Sequence, residues 1–275
     1  MAIQLVHFSD CGPERPSNQD CYIVKICTSF SGIFAIATVC DGMGGLECGE
    51  VASAVVADSF GKWFDAKADS MIKDGFCAES IRCEWELLIH NAHEKIKRYA
   101  LRHRIRVGTT ASVILLTPSE YYTMQVGDSR VYLDNGDYLS CITKDQTLAM
   151  KAYDAGEISW SDILLDERRN ILLQCVGNQS VNPVFQFGET PPVGSILLCS
   201  DGFYHTLEIP DLHVVLQKSV GRKKLQSALL KMAVRGRKSG ESDNMTCVAL
   251  RWDSLFDDRN LYGPTDGKTA NTIEL

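Results

Sequence analysis

Three times in this sequence an apolar, β-branched run stops at an aspartate set beside a glycine or a small residue. Ile33 to Cys40 leads into Asp41-Gly42-Met43-Gly44-Gly45, Met124 to Val126 into Gly127-Asp128-Ser129, and Ile196 to Cys199 into Ser200-Asp201-Gly202. A fourth aspartate, Asp243 in Ser242-Asp243-Asn244, stands just before the run Thr246 to Trp252. A carboxylate at a strand terminus points out of the end of a sheet, so several can converge on one rim while their backbones stay rigid. Any single one reads as a turn residue or helix cap. Four together favour a shared site.

Converging carboxylates repel one another and stay ionised near neutral pH only if a cation or a basic group compensates. Hard oxygen ligands select Mg²⁺ or Mn²⁺ over zinc, which calls for His or Cys. Gly42, Gly44 and Gly45 let the backbone turn sharply, exposing a carbonyl as a further oxygen ligand and leaving room for substrate. Two such ions about 3.5–4 Å apart can bridge a water, lower its pKa and clamp a phosphoryl group. Arg15, in Arg15-Pro16-Ser17-Asn18-Gln19-Asp20, supplies a guanidinium suited to gripping phosphate oxygens bidentately. Asp20 is placed either to hold a metal-bound water or to orient Arg15.

The frame for these residues is an antiparallel sheet system. Strands are expected at Ile3 to Phe8, Cys21 to Cys27, Ile33 to Cys40, Ala111 to Thr117, Tyr121 to Val126, Arg130 to Leu133, Tyr138 to Ile142, Ile196 to Cys199 and Thr246 to Trp252. Asp134-Asn135-Gly136-Asp137 carries the Asn-Gly signal of a tight hairpin. Helices are expected at Val51 to Phe64, at Lys224 to Val234, and over a stripe formed by Ile81, Trp85, Leu88, Ile89, Ala92, Ile96 and Tyr99, with Glu84, Glu86, Lys95, Lys97 and Arg98 facing away. Helices grouped between hairpin-connected strands pack on the outside of sheets. The expected fold is α+β, one domain over residues 1–253, with a candidate flap from Thr147 to Ser180 that includes a weak helix Leu148 to Ala155, and a polar tail, Ser254 to Leu275.

Composition narrows the partners. Over 275 residues, 28 Lys and Arg against 35 Asp and Glu leave a net charge of -7, which disfavours nucleic acid and anionic membrane. The Lys95 to Arg106 basic cluster lacks interleaved aromatics and reads as a charged outer face or a dock for an acidic partner. No stretch is apolar enough to span a bilayer, and Met1 to Phe8 does not read as a signal peptide. The eleven cysteines include no C-x-x-C, and Cys27, Cys40, Cys199 and Cys247 sit in apolar runs as small hydrophobes. A reducing cytoplasm fits that pattern.

The motifs Arg15-x-x-Asn18-Gln19-Asp20, Asp41-Gly-Met-Gly-Gly45, Gly108-Thr-Thr-Ala111, Val126-Gly-Asp-Ser-Arg130, Thr143-Lys-Asp-Gln146, Ser200-Asp-Gly202 and Ser242-Asp-Asn-Met-Thr246 resemble, in order, those of the metal-dependent protein phosphatase 2C family. The resemblance spans about residues 5–252. It implies a central β-sandwich flanked by helices on both outer faces, with a dinuclear Mn²⁺ or Mg²⁺ centre at one end. By position Asp41 is the bridging ligand, Gly42 supplies its carbonyl, and Asp201 and Asp243 are the remaining carboxylates. Asp128 corresponds to a ligand of a third, weaker metal site, Arg15 to the phosphate-binding arginine and Asp20 to a carboxylate behind the centre. The resemblance further implies hydrolysis of phosphoserine and phosphothreonine in proteins by a metal-bridging hydroxide without a phosphoenzyme, in a bacterial-type enzyme. Its partners would be a cognate kinase and that kinase's substrates, and the chain is expected to be a monomer.

Two positions depart from the family pattern. Gln19 stands where many relatives have Glu, which weakens the second metal, and Met43 stands where eukaryotic members often carry a proton-donating His. The Asp-Gly-Met-Gly-Gly form and the compact flap ending at Asn170 to Gly177 resemble bacterial members, in which a metal-bound water protonates the leaving group. Other readings are weaker. His90 and His93 sit one helical turn apart but lack a further ligand nearby in sequence, so they read as a solvated helix face. Gly42-x-Gly44 fails as a dinucleotide motif because Glu47 occupies the third glycine position, and no G-x-S-x-G elbow is present. The serious rival is a catalytically silent relative that binds phosphoproteins through the same fold. Retention of four repelling aspartates with Arg15 argues against it.

Overall fold

The computed structural model describes residues 3–29, 31–43, 48–75, 77–178, 180–218 and 221–253. In chain order the elements begin with strands β1 (Gln4–Asp10), β2 (Cys21–Ser29), β3 (Gly32–Cys40) and the two-residue β4 (Gly42–Met43). Helices α1 (Gly49–Asp74) and α2 (Ala78–His103) follow, then β5 (Gly108–Thr109), β6 (Ala111–Leu116), β7 (Glu120–Val126), β8 (Arg130–Asp134) and β9 (Leu139–Cys141). The chain continues through α3 (Leu148–Asp154), β10 (Val184–Glu189), β11 (Gly194–Cys199), α4 (Asp201–Tyr204), α5 (Ile209–Lys218), α6 (Arg222–Lys238) and β12 (Met245–Trp252).

Two five-stranded antiparallel sheets, ordered β1-β12-β11-β8-β9 and β10-β7-β6-β3-β2, form a sandwich. The period-two alternation of strand residues decides what each face buries. Along β3, Ile33, Ala35, Ala37 and Val39 face the inter-sheet core with Ile196, Leu198, Val248 and Leu250, whereas Phe34, Ile36 and Cys40 face α1 and α2. On the other sheet Cys247 and Ala249 turn outward onto Leu225, Leu229 and Met232 of α6. The outcome is the α+β sandwich with helices on both outer faces.

In α2 the expected stripe is the buried one: Ile81, Trp85, Ile89, Ala92 and Ile96 are all in the core. Trp85 meets the edges of Phe60 and Trp63 from α1 at ring-centroid distances of 5.5 and 5.4 Å. Two side chains assigned to the outer face belong elsewhere. Glu84 accepts Trp63 Nε1–H at 2.7 Å and Lys67 Nζ at 2.7 Å. His93 is 4 % exposed, and its Nδ1 accepts the Gly177 N–H at 3.0 Å, so it is a satisfied interior histidine and not part of a solvated face.

β10 and α5 were not anticipated. β10 is a largely exposed edge strand pairing only with β7, so its sequence carries no inward-facing apolar rhythm. Pro210 masks α5, yet it lies in the first helical turn, where its missing N–H has no intrahelical acceptor to lose. The expected hairpin is present: β8 and β9 pair antiparallel in a register that sets Asn135 opposite Tyr138, Asn135 N–H donates to Tyr138 O at 3.3 Å, and Gly136 takes φ +94°. All eleven cysteines are free, and the four assigned to apolar runs are buried. Gly44, Gly45 and Glu47, and the tail from Ser254, lie outside the described residues. Among the described residues no helix is long and apolar enough to cross a membrane.

Candidate active site

Strand register brings the four aspartates to one edge of the sandwich. Cys199 of β11 sits opposite Cys247 of β12 and opposite Arg130 of β8, so Asp201, Asp243 and Asp128 leave the sheet at the same end. In the facing sheet Cys21 is paired with Cys40, which sets Asp20 beside Asp41. Asp41, Gly42, Asp128, Asp201, Asp243 and Arg15 all line one cleft of about 400 Å³. The sequence-derived set is therefore one site, with Asp20 behind it.

Backbone contacts hold each carboxylate in place. Asp41 N–H donates to Thr110 Oγ1 at 2.9 Å, and its carbonyl accepts Thr110 N–H at 2.8 Å and Thr109 Oγ1 at 2.9 Å. Gly42 is buried against the chain: a Cβ there would collide with the carbonyl oxygens of Gln19 and Gly49. Asp201 opens α4, and a Cβ at Gly202 would meet Asn244 O, which keeps α4 tight against the Asp243 segment. Gln19, the departure from the family pattern, contributes its backbone: its N–H donates to Asn244 Oδ1 at 2.8 Å and its carbonyl accepts Gly42 N–H and Ser53 Oγ–H. Its side chain packs against Gly49.

The electrostatics are those of uncompensated negative charge. Burial, then the charges of Asp20, Asp201 and Asp128, push the Asp41 carboxyl well above the usual carboxylate range. Burial and Asp201 do the same to Asp128. Asp201 is raised by burial, partly relieved by His205 and raised again by Asp243. Burial lifts Asp20 to about 7 even though Ser200 and Thr246 hydrogen-bond its charged form, the Ser200 Oγ–H donating to Oδ2 at 2.7 Å. Among the described residues Asp20 Oδ1 and Asp201 Oδ1 are buried without a hydrogen-bond partner.

Arg15 is engaged differently from the expectation. Its Nη2 donates to Asp243 Oδ2 at 2.7 Å, so a residue assigned to phosphate and one assigned to metal are ion-paired with each other. Among the described residues Arg15 Nε and Nη1 have no partner, which leaves the rest of the fork available.

Among the described residues no three His, Cys, Asp or Glu side chains close into a metal cage. The donor set is all oxygen, Asp201 Oδ1 is buried with no hydrogen-bond partner among the described residues, and the set's protonation is distorted by mutual repulsion. Such a set fits a hard divalent cation such as Mn²⁺ or Mg²⁺.

The cleft also contains residues to which the sequence reading gave no role: Thr110, Arg169, Asn170, His205, Glu241 and Asn244. Arg169 and Asn170 come from the flap, where a charged run next to a turn was the available signal. His205 follows Asp201 by one helical turn, with Nδ1 3.5 Å from Glu241 Oε2. Asn244 ties its own loop to the β1–β2 connection, with Nδ2 donating to Cys11 O at 2.7 Å and to Ser17 O at 3.2 Å.

A family model described as protein phosphatase 2C matches residues 15–232. The serine/threonine phosphatase stp of Listeria innocua is 28% identical over 224 residues, covering 78% of this chain and 83% of its own. Serine/threonine protein phosphatase PstP of Mycobacterium tuberculosis is 27% identical over 248 residues; the match covers 87% of this chain and 43% of PstP. A solved bacterial serine phosphatase superposes with a TM-score of 0.76 at 23% identity, covering 91% of this chain and 98% of that one. The catalytic domain of PstP, solved in complex with two manganese ions, gives a TM-score of 0.71 at 24% identity, covering 93% and 99%.

Proposed function

This chain belongs to the protein phosphatase 2C family, and on that premise we propose that it is a metal-dependent serine/threonine protein phosphatase acting on phosphorylated proteins in the cytoplasm. The carrying observation is the convergence of Asp41, Asp128, Asp201 and Asp243 with Arg15 in one cleft. Relatives named as serine/threonine phosphatases support the substrate class. The catalytic unit is residues 1–253, with residues 254–275 appended.

Asp41, the Gly42 carbonyl, Asp201 and Asp243 would hold two Mn²⁺ or Mg²⁺ ions, and Asp128 would serve a third. PstP's two manganese ions support that number. When bound, such ions neutralise phosphoryl charge and make water acidic enough to act as a nucleophile near neutral pH.

The chain's own residues supply positioning. Arg15 offers the free part of its guanidinium to the phosphoryl oxygens, and Asp243 orients it through the 2.7 Å ion pair. Asp20, held by Ser200, stands behind Asp41 and Asp201 as a proton-holding group. Arg169 adds a second cation at the flap side of the cleft. Met43 lines the cleft and has no proton to give. With the phosphoryl group gripped by Arg15 and facing the cations that the carboxylate rim would hold, most of the rate gain would come from charge neutralisation and in-line placement.

Release of phosphate from an aryl phosphate and from a phosphothreonine peptide, with Mn²⁺ and then with a chelator, tests the reading. Turnover that requires the cation supports it. Saturable phosphopeptide binding with no turnover at any Mn²⁺ concentration would instead identify a silent binding protein.

A further inference from the structure

A second cavity, of about 710 Å³, lies on the far side of α4 and shares no lining residue with the carboxylate cleft. Tyr132, Met150, Tyr153, Trp160 and Tyr204 line it, together with Arg130. Its size falls within the range of about 300–1,000 Å³ usual for small-molecule sites.

The charges in the cavity are already paired. Arg130 grips Asp145 with two hydrogen bonds, 2.9 and 2.6 Å, and its guanidinium lies 3.7 Å over the Tyr204 ring. Lys144 is held by both oxygens of Asp154. A charged ligand would lose hydration here and find no counter-charge.

Tyr204 is different. Its side chain lines the cavity and is 4 % exposed overall, and its hydroxyl makes no hydrogen bond among the described residues, so the O–H remains available to a ligand. Trp160, which also lines the cavity, is 64 % exposed and meets Tyr153 edge to face at 5.4 Å, so a large aromatic surface is left against water.

We propose that this cavity is an effector site for a neutral, flat aromatic molecule carrying a hydrogen-bond acceptor. The ring lies against the Tyr153, Trp160 and Tyr204 walls, and the acceptor takes the Tyr204 hydroxyl proton.

Three connections carry occupancy to the cleft; that coupling, unlike the binding itself, rests on the phosphatase reading. The single-turn α4 has Asp201 in the cleft and Tyr204 in the cavity. Asp145, which holds Arg130, precedes Gln146, whose Oε1 accepts Gly127 N–H at 2.7 Å beside Asp128. The flap roofs the cavity with residues 160–164 and walls the cleft with Arg169, Asn170 and Leu172, and Arg169 Nη1 donates to Leu164 O.

Ligand-observed NMR titration of the full chain with quinoline, at mildly alkaline pH where it is uncharged, tests the site without reference to turnover. Quinoline should bind saturably, quinoline-2-carboxylate much more weakly, and naphthalene roughly 2- to 10-fold more weakly for want of the acceptor. Tyr204→Phe should bring quinoline down to the naphthalene level, and Trp160→Ala, at an exposed position, should weaken both. Met150→Trp, checked for folding by circular dichroism, should abolish binding. Non-saturable binding, or equal affinity for quinoline in wild type, Tyr204→Phe and Trp160→Ala, overturns the site. Calorimetric Mn²⁺ affinity should shift at least twofold under saturating quinoline; an unchanged affinity overturns the effector role and leaves the phosphatase reading to its own assay.

Discussion

At the residue scale the site is governed by the cost of holding carboxylates together. Asp41 and Asp201 are partly buried and repel one another, so keeping them together costs stability. Asp41→Asn and Asp201→Asn should each lower kcat by ~100-fold or more, the upper range seen when a metal site is disturbed. Their thermal midpoints should equal or exceed that of the wild type, since a repelling charge is gone. A drop in midpoint would mean these side chains stabilise the fold. Arg15→Ala removes a charge-assisted hydrogen bond of about 1.5–3 kcal/mol, so kcat/KM should fall roughly 10- to 150-fold, mostly through KM. Steady-state kinetics on a phosphopeptide separates the two parameters. The residue types of this site were legible in the sequence, as were their places at strand ends. The Arg15–Asp243 ion pair was not, because the partners are 228 positions apart and their meeting depends on how β1 and β12 align.

At the element scale, α2 shows why periodicity is a reliable guide to what a helix buries and a poor one to its polar side. Its apolar stripe faces the core as expected, and Trp85, with no exposure, is enclosed by Phe60 and Trp63. Trp85→Ala should destabilise the chain by about 3–5 kcal/mol. Glu86→Ala, on the outward face, should fall within about 0.5 kcal/mol. Chemical denaturation of the two variants checks both values. Glu84 and His93, also expected to face solvent, are drawn in by hydrogen bonds from Trp63 and Lys67 and from Gly177, partners that lie outside the helix. β10 and α5 escaped sequence reading for opposite reasons: one has too little buried surface to leave a pattern, and the other carries a proline where helices tolerate it.

At the scale of the whole molecule, the carboxylate rim links stability to pH and to divalent cations. Asp20 has its carboxyl raised from 3.8 to about 7 in the folded chain. The folded state therefore holds this proton more tightly than the unfolded one, and the contribution is fully present below 3.8 and lost as pH rises towards about 7. Asp41, Asp128 and Asp201 shift in the same direction and titrate with it as a group. In chelator, the difference in thermal midpoint between wild type and Asp20→Asn should turn against the wild type across that interval and level off above it. Mn²⁺ should raise the wild-type midpoint on the alkaline side by mass action. A pH-independent difference between the two proteins would show that Asp20 is not proton-linked.

The sequence by itself determined the sheets, the main helices, the strand-end aspartates and the oxygen-donor chemistry, because each is written within a few consecutive residues as alternation, spacing or residue type. Tertiary structure decided which of these groups meet. Strand register placed Asp20, Asp41, Asp128, Asp201 and Asp243 on one edge, packing of the flap brought Arg169 to the cleft, and the Tyr204 side of α4 became the wall of a second cavity. These are contacts between segments distant in the chain, and their geometry follows from how whole layers align, which no local run of residues encodes.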